Sequence, residues 1–171
     1  MHCLQSLNVL EQSVTTKQDK QNPMHQAVRY LARRDHSRYE LKQKLLTKEH
    51  TEELVESVLN ELQGRAYLDD QRYAEMMVRH HSLRGQGPQK IRSMLNQKGV
   101  SKSIIAVVFA EFDQDWYTLA SEVRQKRFGG QFKSGDKKEQ FNEKSKQMRF
   151  LMSRGFESDQ IQYAVDELII E

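Results

Sequence analysis

Shifted by 50 positions, the chain lies over itself without a gap. Leu41 falls on Ile91, Leu45 on Leu95, Lys48 on Lys98, Val55 on Ile105, Val58 on Val108 and Leu62 on Phe112. A further shift of 56 places Leu95 on Leu151, Lys98-Gly99-Val100 on Arg154-Gly155-Phe156, Ile105 on Ile161 and Phe112 on Leu168. The apolar positions within each copy recur at helical spacing, three, four and seven residues apart. A unit of about 50 residues is too small to bury an adequate core alone, so such copies must stack on their neighbours. The expected fold is all-α: three tandem three-helix repeats, 25–66, 67–113 and 114–171, forming an elongated curved helical solenoid after a flexible N-terminal arm, 1–24.

Local signals place the helices. In the first copy Ala27, Val28, Leu31 and Ala32 make one stripe that stops near Asp35-His36, and Ser37 with Glu40 has the spacing of a capping box ahead of Leu41, Leu45 and Leu46. A third helix begins near Thr51, buries Leu54, Val55, Val58, Leu59 and Leu62, and ends at Gly64. The middle copy opens with Asp69 as N-cap, Asp70 in the first turn, and Leu68 and Tyr73 as a hydrophobic staple. After Gly85, Gly87 supplies the next cap and Pro88 the first helical residue, ahead of Ile91. Gly99 and Gly155 suit the left-handed position that closes a helix, with Val100 and Phe156 as its apolar contacts. Glu49 replaces this glycine in the first copy, so that helix end is expected to be less regular. Residues 129–143, which include Gly129, Gly130, Ser134 and Gly135, read as a mobile loop.

Composition agrees with helices and narrows the setting. Charged residues reach 30%, aromatics 8%, and only two prolines occur. Cys3 has no second cysteine to pair with, which fits a reducing cytoplasm. No apolar run approaches the roughly 18 residues of a membrane span, and the first 24 residues have neither the basic start nor the apolar core of a signal peptide. A cytoplasmic protein without membrane contact is expected. The net charge of +3 conceals segregation: residues 76–110 hold six basic and no acidic side chains, 124–154 hold ten basic against three acidic, and 111–123 hold acids alone. The first helical region, 27–62, balances at seven of each.

Reactive constellations are scarce. Asp69 and Asp70 are adjacent at a helix start and point apart, which suits capping and not acid–base work. His80 and His81 lie about 100° apart on a helix and cannot readily share an ion with each other or with His36. His80, on the stripe of Tyr73, Met76 and Met77, is expected to be partly buried. The Gly130–Gly135 interval imitates a phosphate loop, yet Asp136 stands where a lysine is required. Cys3 has no activating neighbour. The expectation is therefore a non-enzyme with no catalytic residue, metal or cofactor. What remains is a basic surface suited to an extended anionic partner, for which the candidate contacts are Arg79, Arg84, Lys90, Arg92 and Lys98, continued by Arg124, Lys126, Arg127, Arg149 and Arg154.

Leu68-Asp69-Asp70 with Tyr73-Ala74, then Arg84, Gly85, Gly87-Pro88 and Ile91, then Lys98-Gly99-Val100, occur in an order and spacing that resembles the RecX family of bacterial regulators. Arg127-Phe128-Gly129, Arg149-Phe150-Leu151 and Arg154-Gly155-Phe156 extend the resemblance, which covers residues 27–168. It implies a non-enzymatic inhibitor that binds RecA filaments on DNA and limits recombinase, ATPase and coprotease activities, thereby modulating DNA repair and the SOS response; the chain itself is expected to be monomeric. Direct binding of single- or double-stranded DNA is a further implied contact. The other reading that the residues leave open is a helical-repeat module that binds nucleic acid independently of RecA.

Overall fold

A computed structural model of the chain describes residues 22–129 and 136–166. These residues form nine helices and no strand: α1 Pro23–Arg33, α2 Arg38–Leu46, α3 Glu52–Gly64, α4 Asp70–Ser82, α5 Pro88–Gln97, α6 Lys102–Glu111, α7 Trp116–Phe128, α8 Lys137–Arg154 and α9 Ser158–Asp166. Three successive helices make each repeat. Residues 1–21 of the expected arm, 130–135 of the expected loop, and Leu168 lie outside the described residues.

Several helix ends differ from expectation for identifiable reasons. α1 starts inside the stretch read as an arm, because the Asn22 side chain accepts from the Met24 N–H at 2.9 Å and Pro23 takes the first helical position. α8 likewise reaches back into the stretch read as a loop. The Asp136 carboxylate accepts from the Lys138 and Glu139 N–H groups at 2.9 and 2.8 Å, and 137–143 are helical. Gly64 is the last residue of α3 and does not turn the chain. Ala66 does so at φ 57°, and the Leu62 carbonyl accepts from the N–H groups of Tyr67 and Leu68 at 2.9 and 3.2 Å. Leu54, expected in the core, is 46% exposed on α3.

The end of α2 is instructive for a different reason. Glu49 stands at φ 64°, in the same left-handed conformation as Gly99 at 73° and Gly155 at 87°. Its N–H donates to the Leu46 carbonyl at 3.1 Å, as Gly99 does to Asn96 at 3.0 Å and Gly155 to Met152 at 2.9 Å. The helix end is less regular, as expected, since α2 stops at Leu46 and residues 47–49 close it as a turn, whereas α8 runs to Arg154 beside Gly155; the left-handed residue is kept even where a side chain makes it costly.

The described residues divide into two compact bodies. The first comprises the residues up to Glu75 with Asn96–Val108, and the second comprises Met76–Leu95 with the residues from Phe109 onward. In the first, Ala27, Leu31, Leu41, Leu45, Val55, Leu59, Leu62 and Leu68 form one core, each at most 3% exposed. Truncating any of these leucines to alanine should cost about 2–5 kcal/mol. In the second, Ala120, Leu151, Phe156, Ile161, Ala164 and Val165 are buried among Leu119, Val123, Met148 and Phe150.

Each body also contains one joint between successive repeats, and the two joints follow one plan. In the first, the Ser37 hydroxyl accepts from the Glu40 N–H at 3.1 Å and donates to the Lys98 carbonyl at 2.6 Å. A Cβ on Gly99 would lie 2.4 Å from that of Tyr39. In the second, the Gly87 N–H donates to the Arg154 carbonyl at 2.9 Å and Gln89 N–H to the Gly155 carbonyl at 3.0 Å. A Cβ on Gly87 would lie 2.4 Å from the Gly155 carbonyl, and one on Gly155 would lie 2.3 Å from Lys90 Cβ. Thus the start of the second helix in one copy seats on the end of the second helix in the next. Ser37 reaches with a side chain; Gly87 makes the contact by having none.

The Leu68–Tyr73 stretch fastens the first body. Asp69 caps α4 by accepting from Gln71 and Arg72 N–H groups at 2.8 and 3.1 Å, while Asp70 accepts from the Arg38 N–H at 2.7 Å and so caps α2 instead. Burial pushes the Asp70 carboxyl above its ordinary value despite that bond. Glu40 does not close the expected capping box: its carboxylate pairs with Arg34 at 2.6 Å and with Lys98 at 3.5 Å.

Candidate polyanion-binding surface

Nine of the ten candidate contacts fall in the second body, and their environments differ sharply. Arg79, Arg84, Lys126, Arg127 and Arg149 are exposed. Arg84 is held in place by its neighbour: Gly85 lies so close to α7 that a Cβ there would be 2.6 Å from Val123 Cγ2. Val123 itself stands one helical turn before Lys126 and Arg127, so the turn that carries Gly85 seats on the end of α7. Arg124 is different. It follows Ala120 by four residues on the buried face of α7, is only 4% exposed, and offers no charge to a partner. Its charge suggests the surface, whereas its spacing of four residues from Ala120 marks the buried face.

At the joint the cations are partly engaged. Lys90 Nζ reaches the Ser153 carbonyl at 3.5 Å, and Arg92 pairs with Glu157 at 3.3 Å while its guanidinium lies 4.0 Å from the centre of the Phe109 ring. Lys98 belongs to the first body and leans on Glu40. These three are anchored groups with part of their charge answered internally, and half-exposed pairs of this kind are worth little to stability.

Next to the joint the basic block acquires aromatic faces. Phe128, at the end of α7, and Phe150, on α8, meet edge-to-face with centroids 5.3 Å apart. The Arg127 guanidinium and Lys146 Nζ lie 5.8 and 5.6 Å from the Phe128 ring centre, and the Arg154 guanidinium lies 5.2 Å from that of Phe150. Lys146 was not among the candidates. Its ring partner lies on another helix and so was not legible in local spacing, and its ammonium also pairs with Glu143 at 3.3 Å. The cluster combines delocalised positive charge with two ring edges and faces, a chemistry able to meet phosphate and planar groups together.

His80 is expected to be partly buried, and is not. His80 is exposed and His81 is half-buried, with their rings 5.1 Å apart and edge-on. Burial, then the neighbouring His80, holds the His81 imidazole below the ordinary histidine range. His36, in the first body, is held low mainly by burial, with Nδ1 2.9 Å from the Arg34 carbonyl. Among the described residues no group of three or more His, Cys, Asp or Glu side chains could hold a metal ion, and no helix is long and apolar enough to cross a membrane.

Comparison with known proteins identifies the repeats individually. The first, second and third three-helix domains of RecX match residues 24–62, 69–108 and 113–165. The regulatory protein RecX of Vibrio campbellii is 45% identical over 139 residues, covering 81% of this chain and 86% of that protein. That of Halorhodospira halophila is 41% identical over 138 residues, covering 81% and 83%. A crystal structure of RecX from Lactobacillus salivarius shares the fold with a TM-score of 0.74 at 22% identity, covering 91% of this chain and all of that one.

Proposed function

Because this chain belongs to the RecX family of regulatory proteins, we propose that it binds the RecA filament on DNA and inhibits its recombinase, ATPase and coprotease activities. The observation that supports this best is the set of exposed cations in the second body. Arg84, Lys126 and Arg149 make no ion pair among the described residues, and Arg127 rests on an aromatic ring. Side chains so arranged leave their charge available to acidic protein surface and to phosphates. The protein acts in the cytoplasm as a monomer and catalyses no reaction; inhibition follows from occupancy alone.

A second reading rests on the Phe128–Phe150 pair. Rings flanked by Arg127, Lys146 and Arg154 also suit unstacked bases, so direct binding to single strands independent of RecA is the alternative. Titration of labelled protein onto preformed RecA filaments and onto bare single-stranded DNA separates the two. The filament reading predicts at least tenfold tighter binding to filaments at physiological salt. Equal or tighter binding to the bare strand would favour the alternative.

A further inference from the structure

The first repeat, whose charges balance in sequence, is not neutral in space. Five of the seven carboxylates in 27–62 have particular partners: Glu40 pairs with Arg34, Glu52 and Glu56 with Lys42, Glu56 also with Arg38, Glu61 with Arg65, and Asp35 with Arg72; Glu49 and Glu53 have no ion pair among the described residues. Arg29, Arg33, Lys44 and Lys48 are left without an ion pair among the described residues. Three of these four surround one cavity of about 330 Å³, lined by Gln26, Arg29, Tyr30, Arg33 and Lys48; among the described residues its wall holds no carboxylate.

The wall is built from two helix segments. Gln26, Arg29, Tyr30 and Arg33 recur at three- and four-residue spacing and therefore share one face of α1. Lys48 comes from the turn that closes α2, where Glu49 holds its left-handed conformation. Lys44, the fourth cation, stands 5.1 Å from the Tyr30 ring centre, and His36 packs on the same ring at 6.0 Å. Gln26 is fixed from behind, its side-chain oxygen 3.4 Å from His50 Nε2.

We propose that this cavity binds the phosphate chain of a nucleoside polyphosphate. Two guanidiniums offer forked N–H donors, the lysines add compact positive charge, and the tyrosine and glutamine supply neutral polar groups. Cations converging on one small cavity match a compact polyanion better than an extended strand, whose phosphates are answered by charges strung along a surface. The volume lies at the small end of ligand sites and suits the phosphates more than the whole nucleotide. No residue of this site belongs to the basic surface of the second body, and its test does not depend on RecA.

The test uses the full chain, isotope-labelled for NMR, titrated at low salt with sodium tripolyphosphate, ATP, AMP and a 5′-hydroxyl oligothymidylate. Saturable shifts at the amides of Gln26, Arg29, Tyr30, Arg33 and Lys48 are expected with tripolyphosphate and ATP, with AMP at least tenfold weaker. The R29A/R33A variant, altered only at exposed positions, should lose at least tenfold in ATP affinity with an unchanged circular dichroism spectrum. K44A/K48A provides a second variant with the same expectation. Absence of saturable shifts, or shifts that survive both variants, would overturn the proposal. So would saturation by the oligonucleotide without saturation by tripolyphosphate, which would mark the cavity as part of a nucleic-acid surface.

Discussion

Individual residues carry the joints, and their substitutions separate geometry from charge. Gly87→Ala places a methyl group 2.4 Å from the Gly155 backbone. Backbone cannot move aside as a side chain can, so the variant should lose about 1–3 kcal/mol, read as a lowered urea midpoint. Glu49→Gly should act in the opposite sense. It relieves a left-handed L-residue at φ 64° at the cost of unfolded-chain entropy, for a net gain of about 0.5–1 kcal/mol; a loss would show that the Glu49 side chain makes an unrecognised contribution. His36 and His81 bear on pH. With both held low by burial, the folded protein binds fewer protons than the unfolded chain. Their contribution is complete above the unfolded value of about 6.5 and is lost as pH falls below it. Asp70, held high, works oppositely and at lower pH, since its protonation favours the folded state. Urea midpoints should therefore fall between pH 7 and 5.5, and His36→Asn, which retains a donor for the Arg34 carbonyl, should flatten that fall.

At the level of elements, helix position was legible because apolar spacing and capping residues are local signals. Asp69, Ser37 and Pro88 mark starts that the structure keeps. What was missed depended on the neighbouring copy. Nothing within 38–50 reveals that Glu49 must follow the path of Gly99 and Gly155; Leu54, by contrast, stands about 90° from the centre of the Val55, Val58, Leu59 and Leu62 stripe, so its outward position is set by spacing alone. The Asn22-Pro23 and Asp136 starts are local signals masked by composition, a polar stretch without glycine before the first and a glycine-rich one before the second. Ser37 tests the element-level account. Its hydroxyl serves both the α2 cap and the Lys98 carbonyl, so Ser37→Ala should cost about 1–2 kcal/mol, whereas Thr51→Ala, whose side chain makes no capping bond, should cost clearly less.

At the scale of the molecule, the basic surface was legible as charge but not as geometry. Sequence segregation pointed to residues 76–154; folding then withdrew Arg124, tied Arg92 to Glu157 and Phe109, and gathered Arg127, Lys146 and Arg154 around two phenylalanines. It also left a positive cavity in the repeat whose charges cancel. A count of charges along a chain cannot see which carboxylates are already spent on partners. The central claim is that the exposed cations of the second body deliver inhibition of RecA. Its most direct test is the DNA-dependent ATPase of RecA, titrated with the wild-type chain and with the Arg84→Glu, Arg127→Glu, Arg149→Glu triple variant at equal helicity. Potency is predicted to fall at least tenfold in the variant; undiminished inhibition would contradict the claim.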